Sequence, residues 1–352
     1  MSDTLLNFVV NNLSPKPDPG SIKIEKLFGQ ASYRQYFRAT CDVRRETYII
    51  MQMPSGFSAP AEEITKETVD KPKELPFINV NTYLKKCALP VPTILAFDED
   101  KGLILLEDLG EATLEALYKK AGPEFGQVYY KNAIDLLIAL QTKTNEDKNC
   151  VAYHRCFDLD LLNHEFKHFL DYGVEDRLDK KLDEATKETF LKTCNALSQT
   201  IAQMPQGFTH RDFQSRNLMF KNFDFFLIDF QDALVGPILY DLVALLRDSY
   251  VTFSPIQRDH LINYYCEKLP ETHSYYNKKD KIFHDFHLIA LQRKLKDAGR
   301  FQFINTVKKN PHFLKNIPQS LAYVKEALDV CATNKHVQSL HSWLKENVKE
   351  FS

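Results

Sequence analysis

No apolar run in this 352-residue chain approaches the roughly eighteen residues that a helix needs to cross a bilayer. The opening Met1-Ser2-Asp3-Thr4 has no basic region ahead of an apolar core, so no secretory leader is expected there. An excess of one charge is also missing. The formal net charge is −2, which removes the electrostatic reason to expect nucleic acid or an anionic membrane as a partner. Cysteine supplies no scaffold. Seven of them (41, 87, 150, 156, 194, 266 and 331) are odd in number and scattered. The nearest pair, Cys150 and Cys156, has no counterpart elsewhere to complete a zinc set. Free thiols in a reducing cytoplasm are expected instead. There is no internal repeat and no low-complexity segment. A hydrophobic content of 44% with 26% charged residues excludes wholesale disorder, and the length exceeds the usual single core. The expectation is a cytosolic globular protein in two lobes or domains.

Periodicity gives those parts a plan. Leu5, Leu6, Val9, Val10 and Leu13 predict a helix over 4–13, stopped by Pro15, Pro17 and Pro19. Strands are predicted at Tyr33–Ala39 and Thr47–Met51, a loop from Pro54 to Pro76 and a helix from Phe77 to Cys87. Strands near Thr93–Phe97 and Gly102–Leu106 complete a small sheet. Beyond Glu111 the signals are mostly helical. Helices are expected at 184–204, 239–249, 255–268, 280–296, 318–331 and 334–349, with others marked by Leu136/Leu140 and by Leu162/Phe166. The fold class expected is α+β: a mainly β lobe over 1–106, a hinge at 107–110 and a helical lobe over 111–352. A ligand cleft between two such lobes is the natural place for a nucleotide.

The chemistry-bearing stretch is His210-Arg211-Asp212-Phe213-Gln214-Ser215-Arg216-Asn217, followed by the apolar run Phe225-Phe226-Leu227-Ile228 and then Asp229. Its spacing is that of the kinase-fold catalytic loop, H-R-D-x-x-x-x-N, with a second acid at a strand end. In that register Asp212 is the proton acceptor, and Asn217 and Asp229 are the Mg²⁺ ligands beside the ATP phosphates. A polar loop could use one such acid to satisfy turn backbone. Three groups in this register fit that reading poorly.

Further stretches carry a family resemblance. Gly29-Gln30-Ala31-Ser32-Tyr33-Arg34-Gln35-Tyr36-Phe37-Arg38, Leu105–Gly110, Ile228-Asp229-Phe230-Gln231-Asp232-Ala233, Gly236–Leu242 and Gln292-Arg293-Lys294-Leu295-Lys296 resemble the aminoglycoside-phosphotransferase-like kinases. Within them, the likeness is greatest to the anomeric amino-sugar kinases of bacterial cell-wall recycling, and it covers about residues 22–331. It implies a two-lobed protein-kinase-like fold and ATP-dependent phosphorylation of the C1 hydroxyl of N-acetylmuramate or N-acetylglucosamine. Two positions depart from the pattern, Gln214 and Lys294 standing where that family usually has His. Gln214 lies outside the metal set, so the departures bear on acceptor preference more than on the chemistry.

On the nucleotide side, Ile49-Ile50-Met51-Gln52 occupies the strand where ordinary kinases place a phosphate-binding lysine, and no cation stands there. Arg34 and Arg38 are the candidate replacements, close to a Gly29–Ser32 turn whose N–H groups and Ser32 hydroxyl suit phosphate. Glu107 and Leu109 lie in the hinge expected to read the adenine edge. On the acceptor side, Asp232, Arg247, Asp248 and Arg293 are the polar residues best placed by sequence, although each could equally support structure. Asp241 reads as a helix N-cap. The paired tyrosines at 129–130, 264–265 and 275–276 read as packing.

Two intervals separate function classes. Leu239 begins the next apolar helix about ten residues after Asp229, which leaves no room for the activation segment of a protein kinase. No A-P-E-like motif follows, so a small-molecule acceptor is expected. Kinases of an amino alcohol, a thio-sugar or an aminoglycoside remain open. So does a nucleotide-binding regulator without catalysis, given the missing lysine.

Overall fold

The computed structural model describes residues 2–27, 34–54 and 73–352. Gly29, Ser32 and most of the 54–76 loop lie outside the described residues. The chain divides into two compact units. One comprises the described residues of Met1–Glu63 with Pro90–Ala112 and Met219–Ile228; the other holds the helix before Leu89, Thr113–Leu218 and Asp229–Ser352. The 107–110 segment therefore lies inside the first unit.

The first unit is built on a five-stranded antiparallel sheet. Its strands are β1 (Ile22–Leu27), β2 (Gln35–Cys41), β3 (Glu46–Gln52), β4 (Ile94–Asp98) and β5 (Leu103–Glu107), in the order β1-β2-β3-β5-β4. Alternation decides which face is buried. Phe37, Ala39, Ile50, Leu103 and Leu105 turn to one side and pack on Leu5, Phe8 and Val9 of α1 (Ser2–Asn12) and on Leu13 just beyond it. Tyr36, Arg38, Ile49 and Leu106 share the opposite face, because Arg38 pairs with Ile49 and Ile49 with Leu106. A hairpin of β7 (Leu218–Lys221) and β8 (Asp224–Leu227) belongs with this unit, Leu227 donating to the Pro90 carbonyl at 2.9 Å.

The second unit is helical: α2 (Pro76–Lys86), α3 (Leu114–Phe125), α4 (Gln127–Lys143), α5 (Leu159–His168), α6 (Glu184–Ala202), α7 (Tyr240–Leu246), α8 (Pro255–Lys268), α9 (Lys279–Lys308), α10 (Ile317–Val330) and α11 (Lys335–Asn347). A short pair, β6 (Gln206–Thr209) with β9 (Leu234–Pro237), frames the catalytic stretch. Helix α9 is the axis of the unit. It is buried on nearly every face from Ile282 to Ile304, as expected of a helix without a polar side, and α5, α10 and the π-helical turn Phe169–Asp176 pack against it. It runs well past the predicted 280–296, because a wholly buried helix has no amphipathic pattern to mark its end. The paired tyrosines contribute Tyr130, Tyr265 and Tyr275 to the interior. All seven cysteines are free. No helix among the described residues is long and apolar enough to cross a membrane.

Candidate active site

The loop from β6 to β7 is held by carboxylates buried beneath it. Asp241, one residue into α7, accepts the backbone N–H groups of His210 (2.7 Å) and Arg211 (2.9 Å). It is not the helix cap expected from sequence: Leu239 occupies the N-cap position and offers no side-chain bond. Asp248 accepts both the N–H (2.9 Å) and the hydroxyl of Ser215. An unpaired buried carboxylate is costly, so these two acids, each almost wholly enclosed, fix the loop by needing its donors. Arg216 stacks 3.5 Å over the Tyr250 ring and pairs with Glu115 of α3. The Phe213 ring is fully buried edge-on to His210.

This support leaves Asp212 half exposed, with 49% of its side chain accessible. Arg293 of α9 donates to the Arg211 carbonyl at 2.9 Å and to Asp212 Oδ1 at 3.4 Å. Partial burial pushes the Asp212 carboxyl up. Arg293, Lys296 and Arg211 outweigh that and hold it below the usual carboxylate range, so it is ionised at neutral pH. Asn217 donates its amide N–H to the Asp212 carbonyl at 2.9 Å. Asp229, just past β8, accepts from Gln231 Nε2 at 3.0 Å, and Gln231 is itself held by Arg155 on its carbonyl. Asp212, Asn217 and Asp229 all belong to the second unit. Asn217 and Asp229 offer an amide oxygen and a carboxylate, hard donors of the kind that fit Mg²⁺, which takes one or two carboxylates plus phosphate and water. Among the described residues no cluster of three His, Cys, Asp or Glu forms a closed metal cage.

The remaining sequence candidates divide. Arg293 stands at the site. Asp232 is exposed and accepts from Gln231 at 2.9 Å. Arg247 is not at an acceptor surface: its side chain is 2% exposed, pairs with Glu326 at 2.8 Å and lies 4.5 Å over the Tyr323 ring. Asp248 serves the loop, as described. In the first unit, Arg34 stands partly buried just before β2. Arg38 is engaged by Asp108 (2.7 Å) and Glu111 (2.6 Å). The Glu107 carboxylate is taken by Lys221 at 2.7 Å and by the Thr93 N–H at 3.2 Å. Sequence reading missed the loop-holding roles of Asp241 and Asp248. The available signal was two acids in or beside the apolar run Tyr240–Leu246, where a buried charge must have a partner.

Comparison with known proteins supplies the family. A family model described as "Phosphotransferase enzyme family" matches residues 23–276. An N-acetylmuramate/N-acetylglucosamine kinase of Pseudomonas aeruginosa is 30% identical, over 85% of this chain and 81% of its own. The enzyme of the same name from Neisseria meningitidis is 29% identical, over 84% and 82%. The crystal structure of an ADP-bound aminoglycoside phosphotransferase shares the fold with a TM-score of 0.55, at 15% identity and covering 92% of this chain and 99% of that one. The motif spacing, the loop geometry and these likenesses agree: the chain belongs to the phosphotransferase enzyme family and is a small-molecule kinase of protein-kinase-like fold.

Proposed function

We propose that this kinase transfers the γ-phosphoryl group of ATP to the anomeric hydroxyl of an amino sugar, N-acetylmuramate or N-acetylglucosamine, in the cytoplasm as part of cell-wall recycling. The observation that carries the chemistry is Asp212, half exposed and kept ionised beside Arg293 on a loop that also presents Asn217. The acceptor is supported by two relatives named for these sugars. It is supported also by Arg293 and Lys296 beside Asp212, which disfavour a cationic amino alcohol or aminoglycoside.

A carboxylate this acidic is a weak base. Asp212 therefore orients the hydroxyl and takes its proton late, once the oxygen has begun to bond phosphorus. A loose phosphoryl-transfer transition state asks for little more. Asn217 Oδ1 and Asp229 would hold Mg²⁺, which when bound screens the phosphate charge. Gln231 keeps Asp229 turned to one side. In the first unit, the Leu109 N–H has no hydrogen-bond partner among the described residues and is the group we assign to the adenine edge. Gly29, Ser32 and Arg34 stay assigned to phosphate. Arg38, tied to Asp108 and Glu111, is assigned to bracing the hinge.

The test is the position of the phosphate on N-acetylglucosamine after turnover with Mg·ATP, read by phosphorus–proton coupling. Coupling to the C1 proton is expected, and a C6 phosphate would overturn the anomeric reading. In the same assay Asp212→Asn is expected to lower turnover about 10³-fold while nucleotide binding persists.

A further inference from the structure

Helix α9 carries Gln292, Arg293, Lys294 and Asp297 within the interior, with Lys296 partly buried beside them, and a buried charge needs a partner. Most are accounted for. Arg293 holds Asp212 and the Arg211 carbonyl. Lys294, 2% exposed, is bound by Asp297 at 2.6 Å and reaches Ser249 at 3.4 Å. Gln292 donates to Glu165 Oε2 at 2.6 Å. Lys296 is left over. Its ammonium lies 3.5 Å from Asp297 Oδ1 and 4.0 Å from Glu165 Oε1, and among the described residues it makes no hydrogen bond. Glu165 Oε1 is buried and accepts none either. Two facing polar groups thus stop short of each other, with the lysine side chain 13% exposed.

Asp212 is matched by Arg293 and Asp297 by Lys294. Glu165 is the remaining acid for Lys296, and burial pushes its carboxyl above the usual range, which weakens that pairing. Lys296 follows Arg293 by three residues, so both project from one helix face a turn apart. That face meets Asp212, where an acceptor hydroxyl reacts.

Resting on the amino-sugar reading above, we infer that Lys296 is the acceptor-recognition cation and takes the lactyl carboxylate of N-acetylmuramate. The two sugars differ at O3, where one carries a lactyl ether ending in a carboxylate and the other a hydroxyl. The anion completes an ammonium that the protein leaves without a hydrogen bond; the neutral sugar leaves it to water. A charge-assisted hydrogen bond contributes about 1.5–3 kcal/mol, so the site prefers the muramate sugar by roughly tenfold or more in KM.

Steady-state kinetics with each sugar at saturating Mg·ATP test this. Lys296→Gln is expected to lower the ratio of kcat/KM for N-acetylmuramate to that for N-acetylglucosamine about tenfold, through KM, while any change that acts through Asp212 falls on both sugars alike. Lys296→Arg keeps the preference. Equal losses on both sugars, a raised KM for ATP, or no change on either would overturn the assignment. Where the glutamine variant does not fold, the unaltered enzyme serves with N-acetylmuramate and its methyl ester: a comparable drop for the ester supports the inference, and equal use of acid and ester overturns it. If the unaltered enzyme phosphorylates neither sugar at C1, the amino-sugar reading fails and this inference with it. If it phosphorylates both, and only the Lys296 and ester effects are missing, this inference alone fails.

Discussion

Arg211 and Asp229 both adopt the left-handed region, with φ of 73° and 63°, a conformation that costs a non-glycine residue about 1 kcal/mol or more. Such a backbone persists only where its surroundings over-determine it. Arg211 has its N–H on Asp241 and its carbonyl on Arg293, and Asp229 has its carboxylate on Gln231. The strain aims the two carboxylates that flank the loop. Asp297 shows the same dependence on partners in its ionisation. Burial pushes its carboxyl up, but Lys294, Lys296 and Arg293 together hold it far below the usual aspartate value of 3.8. The unfolded chain therefore takes up a proton before the folded protein does. The stabilisation from this cluster is complete above pH 3.8 and is lost as pH falls through the folded value. Asp297→Asn should destabilise by about 3 kcal/mol at neutral pH, with the gap to the unaltered protein closing as the pH drops below that point. Urea unfolding across the acid range checks it, and a gap constant down to about pH 3 would refute it. None of this was legible residue by residue. An aspartate on an exposed face and one facing three cations look alike in sequence.

Among the elements, α9 has the tightest constraint. A Cβ at Gly299 would stand 2.8 Å from the His168 carbonyl oxygen and 2.8 Å from the Phe169 Cα. Both are backbone atoms with no side-chain rotamer to relieve the clash. Gly299 therefore lets α9 approach the end of α5 and the start of the π-helical turn, the same approach that brings Lys296 near Glu165. Gly299→Ala is expected to cost about 1–3 kcal/mol by overpacking, read as a lowered Tm; an unchanged Tm would show that the helices can part without penalty. At this scale the sequence read well where one face was wet. The strands about Thr47–Met51 and Gly102–Leu106 and the helices near 255–268 and 318–331 appear within a residue or two. It missed β1, α3 and the last turns of α9. A short strand, a helix interrupted at Gly122 and Pro123 and a helix buried all round do not show a sustained two-fold or 3.6-fold alternation.

For the molecule as a whole, protein contacts among the described residues hold the catalytic loop. Buried carboxylates hold the loop, Gln231 holds Asp229, and no cage of three or more acidic or sulfur and imidazole ligands is found among the described residues. Chelation of Mg²⁺ is therefore expected to abolish turnover while leaving the thermal midpoint unchanged, since a ligand stabilises a fold only by its binding to that fold. A large fall in Tm on adding chelator would instead reveal a structural metal.

The sequence by itself determined the reaction class. The spacing of Asp212, Asn217 and Asp229 depends on a local loop and a short strand, and local geometry is written in consecutive residues. It also determined that the cysteines stay free and that no peptide-binding activation segment follows Asp229. The tertiary structure alone decided which partner each cation meets. Arg38 is tied to Asp108 and Glu111, Arg247 is enclosed with Glu326, and Lys296 is left without a hydrogen bond. A charge takes its role from the partner it meets, and folding sets that partner among residues far along the chain, 131 positions away for Lys296 and Glu165.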